Sequence, residues 1–172
     1  MSTLTTQEKG WVSQLESNNP AAVMIAIREI RQHGSIRILP YLFRLMKPST
    51  HEAIRESILM LIGELKTREA VPVIVSNLEK TDRGGDFTRL VAACWQSGLD
   101  FSNQIPFFIR IFIDGDYQTA VEAFTVIEES IMNADSKMQK SCLQLLEKSS
   151  NLISEDKYPL YRELVKVVSS AE

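Results

Sequence analysis

Leu39-Pro40-Tyr41-Leu42, Val71-Pro72-Val73-Ile74 and Ile105-Pro106-Phe107-Phe108 set a proline in one apolar frame three times at nearly even spacing. A recurrence of this length, filled with helical patterning, marks a stacked array of helix pairs. After Pro40 the run Tyr41 to Lys47 repeats apolar residues at helical spacing. Proline is tolerated in a first turn because its missing N–H would have no intrahelical partner there. Pro48-Ser49-Thr50 then ends that helix, and a second opens near Ala53. Ile54, Ile58, Leu61 and Leu65 recur at steps of four, three and four, which predicts one buried stripe.

The next unit repeats the plan. Pro72 opens a helix through Leu78, residues 80–86 form the turn, and Thr88, Ala92, Trp95 and Leu99 take the places of the first stripe. The interval from Pro72 to Arg89 exceeds that from Pro40 to Arg55 by two positions, so the second turn is longer by the Gly84-Gly85 pair. In the unit that follows, Pro106 opens the first helix and Asp114-Gly115-Asp116 is the turn. Ala120, Phe124, Ile127 and Ile131 form its stripe. A helix over 5–17 pairs with one after Pro20, and two helices with Cys142 and Pro159 close the chain. The expectation is an all-α protein of one domain, residues 1–172. Residues 1–20 and 137–172 act as atypical capping helices, as the ends of such arrays do. Trp11 and Trp95 fall on apolar stripes and are expected in the core. Phe107, Phe108 and Phe112 cannot all face one core, which leaves one for the outer surface or for covering the next pair.

These units resemble HEAT repeats. The resemblance rests on the aliphatic-Pro opening and the polar turn. It rests also on an aliphatic-Arg pair early in the second helix, here Ile54-Arg55 and, with Thr for the aliphatic, Thr88-Arg89. It covers most of residues 20–135 and departs from the pattern where Val121 holds the arginine position. It implies a right-handed, armadillo-like α-solenoid of about five antiparallel helix pairs. The second helices of such a solenoid line a concave face that binds partner proteins. It also implies two open roles for Arg55 and Arg89: hydrogen bonds to a neighbouring turn, or contact with an acidic partner.

Composition narrows the function. The apolar fraction of 44% and charged fraction of 24% are those of a soluble globular protein. A net charge of −3 supplies no overall basic field for nucleic acid or anionic lipid. No apolar run is long enough to span a bilayer. Residues 1–8 lack a basic segment followed by an apolar core, which predicts a cytoplasmic protein without a secretory leader. Charge is nonetheless uneven. Residues 1–70 hold nine Lys/Arg and seven Asp/Glu, net +2, and residues 71–172 hold ten and fifteen, net −5. Residues 100–135 carry seven acids against Arg110 alone, whereas 28–55 carry Arg28, Arg31, Arg37, Arg44, Lys47 and Arg55 against two acids. This reads either as a polarised binding surface or as solvated faces with local pairs.

No catalytic constellation is visible. HEAT-like metal hydroxylases use several His-Glu pairs, and here only His51-Glu52 is one, with His33 as the sole other histidine. Neither a metal nor a cofactor is expected. Cys94 and Cys142 sit inside apolar helical patterns and read as buried small hydrophobes. Gly84-Gly85 lacks the Lys-Ser/Thr of a phosphate loop. The leading expectation is a non-enzymatic scaffold that binds a protein partner around Arg55, Glu56, Arg89, Gln96 and Glu122. A tetrapyrrole- or small-molecule-handling protein or enzyme is the alternative. Nucleic-acid binding by the basic N-terminal half stands beside it, and exposed end caps leave end-to-end homodimers open.

Overall fold

The computed structural model describes residues 3–170, and among them every regular element is helical. The helices are α1 (Thr6–Leu15), α2 (Pro20–His33), α3 (Leu39–Arg44), α4 (Glu52–Gly63) and α5 (Ala70–Leu78). They continue as α6 (Phe87–Ser97), α7 (Ile105–Asp114), α8 (Tyr117–Ile131), α9 (Ser136–Lys148) and α10 (Tyr158–Ser170). Pro40 and Pro106 are each the second residue of their helix, and Pro72 is the third. All three therefore lie where the N–H has no intrahelical acceptor. Side chains start several of the other helices. Thr5 and Glu8 form a reciprocal capping box, and Asn19, Asp116 and Asp135 each accept a first-turn N–H. Gly98 stops α6 at φ +66°, a left-handed conformation that favours glycine.

Packing arranges the helices in rows. The second helices run α2–α4–α6–α8–α10, each against the next. Among the first helices α1 packs on α3, α3 on α5, and α7 on α9. Contacts of α1 with α2, α7 with α8 and α9 with α10 join the rows. One core runs through them, from Trp11 and Leu15 through Ile58, Ile74 and Cys94 to Leu164 and Val168. Its apolar burial is the main stabilising term, because each amphipathic helix alone would leave its stripe in water.

One expectation needs correction. The buried residues of α6 are Phe87, Leu90, Val91, Ala93, Cys94 and Ser97, a stripe one position earlier than the spacing predicts, so Trp95 lies outside the core with 37% of its surface exposed. Of the two places left open for the third phenylalanine of α7, the outer surface is not used: Phe107, Phe108 and Phe112 are all buried, and α7 packs against α9 as well as α8. Phe108 meets both Phe101 and Phe107 edge-on at 5.3 Å between ring centroids, the arrangement aromatic quadrupoles favour.

The end of α7 is closed from a distance. Lys157, 5% exposed, places its Nζ 3.1 Å from the carbonyl oxygen of Phe112 and 2.7 Å from those of Ile113 and Gly115. Three ammonium donors thus meet three carbonyls at the negative end of a helix. Gly115 itself has no room for a side chain, since a Cβ there would lie 2.8 Å from the Ile111 carbonyl oxygen and 2.9 Å from Thr119.

Candidate functional site: the second-helix face and the cleft beside it

Several contacts between neighbouring second helices share one separation along the chain. Arg31 pairs with Glu64, Met24 Sδ accepts from Ser57, and Glu56 pairs with Arg89, in each case across 33 residues. A Cβ built on Gly63 would lie 3.6 Å from that of Gln96, at the same step. This repeat places four of the five residues expected to bind a partner. Arg55 and Glu56 stand early in α4, and Arg89 and Gln96 stand on α6 against them.

Asp86 is the hub of this cluster. It occupies the N-cap of α6, yet its carboxylate bonds no N–H of that helix. Arg55 Nε donates to its Oδ2 at 2.5 Å and Arg89 Nη1 to its Oδ1 at 3.0 Å. Arg55 also donates to the carbonyl of Thr50, which closes the turn before α4. The two arginines differ in setting: the Arg55 side chain is 17% exposed, and that of Arg89 is 43%. The Glu56 carboxylate, with desolvation opposing and Asp86 adding, raises the Arg89 guanidinium further above its ordinary range. Glu122, the fifth expected residue, is on α8 and accepts the indole N–H of Trp95 at 2.7 Å. It is joined to Trp95 and not to the arginine cluster. The charged groups are paired with one another, so the arrangement suits recognition of a surface more than transfer of a proton.

Large apolar side chains are also exposed on the same row: Ile25 on α2, Met60 on α4 and Trp95 on α6 are 46%, 54% and 37% exposed. Burial of side chains this large is worth about 1.5–3 kcal/mol each.

A cleft of about 1220 Å³ opens beside the Asp86 cluster and shares Arg55 and Asp86 with it, between α3, the turn after it and the loop joining α5 to α6. Phe43 and Met46 form buried parts of its wall, with Pro40, Tyr41 and Pro48 beside them. Arg37, Arg44, Lys47, Arg55 and Lys80 line it against Asp82 and Asp86. Arg44 lies over the Tyr41 ring at 4.3 Å from the centroid. The sequence singled out Arg44 and Lys47 only as members of a basic stretch. It did not join them to Lys80, and it treated Asp86 as a turn residue.

The remaining candidates are accounted for. Trp11 is buried, stacks on His33 at 6.4 Å between centroids and donates its N–H to Glu29 at 2.8 Å. Among the described residues no three His, Cys, Asp or Glu side chains are grouped to hold a metal. Burial pushes the Cys142 thiol up to about 11 and Cys94 higher still, so both are thiols at neutral pH. Buried Glu8 accepts from Ser35, the Thr5 N–H and Arg37, which hold its carboxyl down to about 2. Among the described residues no helix is long and apolar enough to cross a membrane. No protein-family model, curated protein or solved structure matches this chain.

Proposed function

We propose that this chain is a non-enzymatic scaffold of the cytoplasm that binds a protein partner on the face of its second helices. The rows of helices are, in this reading, a right-handed HEAT-like solenoid of about five pairs, whose second helices form the concave side. One observation carries the proposal: Ile25, Met60 and Trp95 stand exposed on three successive helices of that row. Aromatic and methionine side chains set among polar neighbours are the residues that anchor protein interfaces. The Glu56–Arg89 pair and Glu122 supply the polar surround. Side chains carried on packed helices are held with little ordering cost at binding, which favours affinity.

The test is affinity capture from the source lysate at moderate salt, with the parent chain and a Met60→Asp/Trp95→Ala variant side by side. Both positions are exposed, so the variant should keep its helical circular dichroism. A stoichiometric protein held by the parent and lost from the folded variant, a fall of at least about tenfold, is the expected result. A partner retained equally by both would place the interface elsewhere. Recovery of a pigment or of nucleic acid in place of a protein would end the scaffold reading.

A further inference from the structure

We propose that the cleft beside α3 is a second docking site, and that its occupant is an extended acidic peptide segment of a partner protein. Its size is the first argument. At about 1220 Å³ it exceeds the roughly 300–1000 Å³ of small-ligand pockets. Its walls are apolar where they are deep, at Phe43 and Met46, and cationic where they are open, at Arg44, Lys47 and Lys80. An occupant therefore carries both apolar side chains and carboxylates.

Charge separates this cleft from an ordinary surface groove. Five cations line it against two carboxylates, an excess of three in a chain whose net charge is −3. One of the two carboxylates, Asp86, is already held by Arg55 and Arg89. Arg37 is turned to Glu8, and Arg44 meets the exposed Glu16 only at 3.3 Å. Lys47 and Lys80 form no ion pair among the described residues. An anionic ligand thus finds two ammonium groups whose only present competitor in the lining is Asp82.

The spacing of those two groups gives the occupant its form. Lys47 and Lys80 stand at the same separation along the chain as the paired residues of the second helices, and they follow the packed helices α3 and α5. Packed helices lie about 8–10 Å apart, and an extended segment in the polyproline-II form advances about 3.1 Å per residue with three residues per turn. Carboxylates three positions apart on such a segment share one face and match that interval, and the apolar residues between them are left to meet the wall at Phe43 and Met46. Recognition of acidic motifs by cation clusters is an established mode of peptide binding. The apolar depth of the cleft argues for a peptide over nucleic acid, which would be held mainly through phosphates.

Phe43, Met46, Lys47 and Lys80, which carry the proposal, lie outside the second-helix cluster, and the experiment keeps the two sites apart. The probe is a fluorescein-labelled nonapeptide with two glutamates three positions apart and leucines between them, followed by anisotropy against the full chain. Its controls are the same peptide with lysine for glutamate and a single-stranded oligonucleotide of equal charge. The expected result is saturable binding of the glutamate peptide, none of the lysine peptide, and weakening as salt rises from about 0.05 to about 0.3 M. Lys47→Glu with Lys80→Glu, both exposed, should weaken it at least about tenfold with the helical signal intact. Met60→Asp with Trp95→Ala should leave it unchanged. Failure of the glutamate peptide to bind, equal binding of the lysine peptide, or indifference to the charge reversal would overturn the proposal. So would tighter binding of the oligonucleotide that the same charge reversal abolishes.

Discussion

The start of α6 and the start of α8 solve one packing problem with different chemistry. At the first, Arg55 of the preceding second helix reaches Asp86. At the second, Thr88 reaches Thr119, hydroxyl to hydroxyl at 2.6 Å. Moving both members of the first pair on by one helix repeat gives the second pair, so the two contacts are equivalent. Asp86 spends its carboxylate on two arginines and caps nothing, whereas Asp116 is left to accept the Thr119 N–H at 2.8 Å and cap its own helix. At these two places an ion pair and a neutral hydroxyl pair fill the same kind of slot, and where the arginine fills it the aspartate at the helix start is not a cap.

The largest expected effect comes from breaking the charged slot. Arg55→Ala leaves Asp86 with Arg89 alone and the Thr50 carbonyl without its donor. Urea denaturation should show a loss of about 2–3 kcal/mol, less than for a fully buried pair because Asp86 regains the freedom to cap α6. A loss below about 0.5 kcal/mol would mean the slot needs no pair at all. In the neutral slot, Thr88→Val keeps the shape and removes one hydroxyl facing buried Thr119. The expected cost is about 1 kcal/mol by the same measurement, since a neutral hydrogen bond contributes that much net. Equal losses at the two slots would dissolve the contrast. The smallest effect belongs to Arg89→Ala, whose partners are reached across a surface open to water. Its cost should stay within about 0.5–1 kcal/mol and shrink further in molar salt, which thermal melts at two ionic strengths would resolve.

Much of the fold is legible in the sequence because the punctuation is strong. The three prolines and the polar turns announce where helices start. The register of α6 is less legible. Aligning Arg55 with Arg89 forces a step one position longer than the step in space, which pairs Glu56 with Arg89. The two arginines do different things, and only the first fills the slot. That single slip rotates the expected stripe by one position and carries Trp95 into the core on paper. Trp95 is large and apolar, and only its partner Glu122 on another helix explains how its N–H is satisfied at a half-open site. Phe107 stays open between two places on paper because helical periodicity describes burial against one neighbour, and α7 has two. Of the candidate site, Arg55, Glu56 and Arg89 come from the repeat itself. The Asp86 hub and the cleft need residues from separate units brought together by packing, which no local pattern encodes.

Lys157 gives the molecule a direction. Helices at the end of a row have one neighbour fewer and are the first to open in thermal fluctuations. At the C-terminal end that opening is tied to more than the surface of α10. The ammonium just before it holds three carbonyls at the end of α7, so releasing α10 far enough to move Lys157 strips α7 of its closure and loosens the turn into α8. The contact ties a residue just before α10 to the end of a helix more than forty positions earlier. Cutting the chain before Lys157 would therefore remove a lock on α7 as well as the last helix.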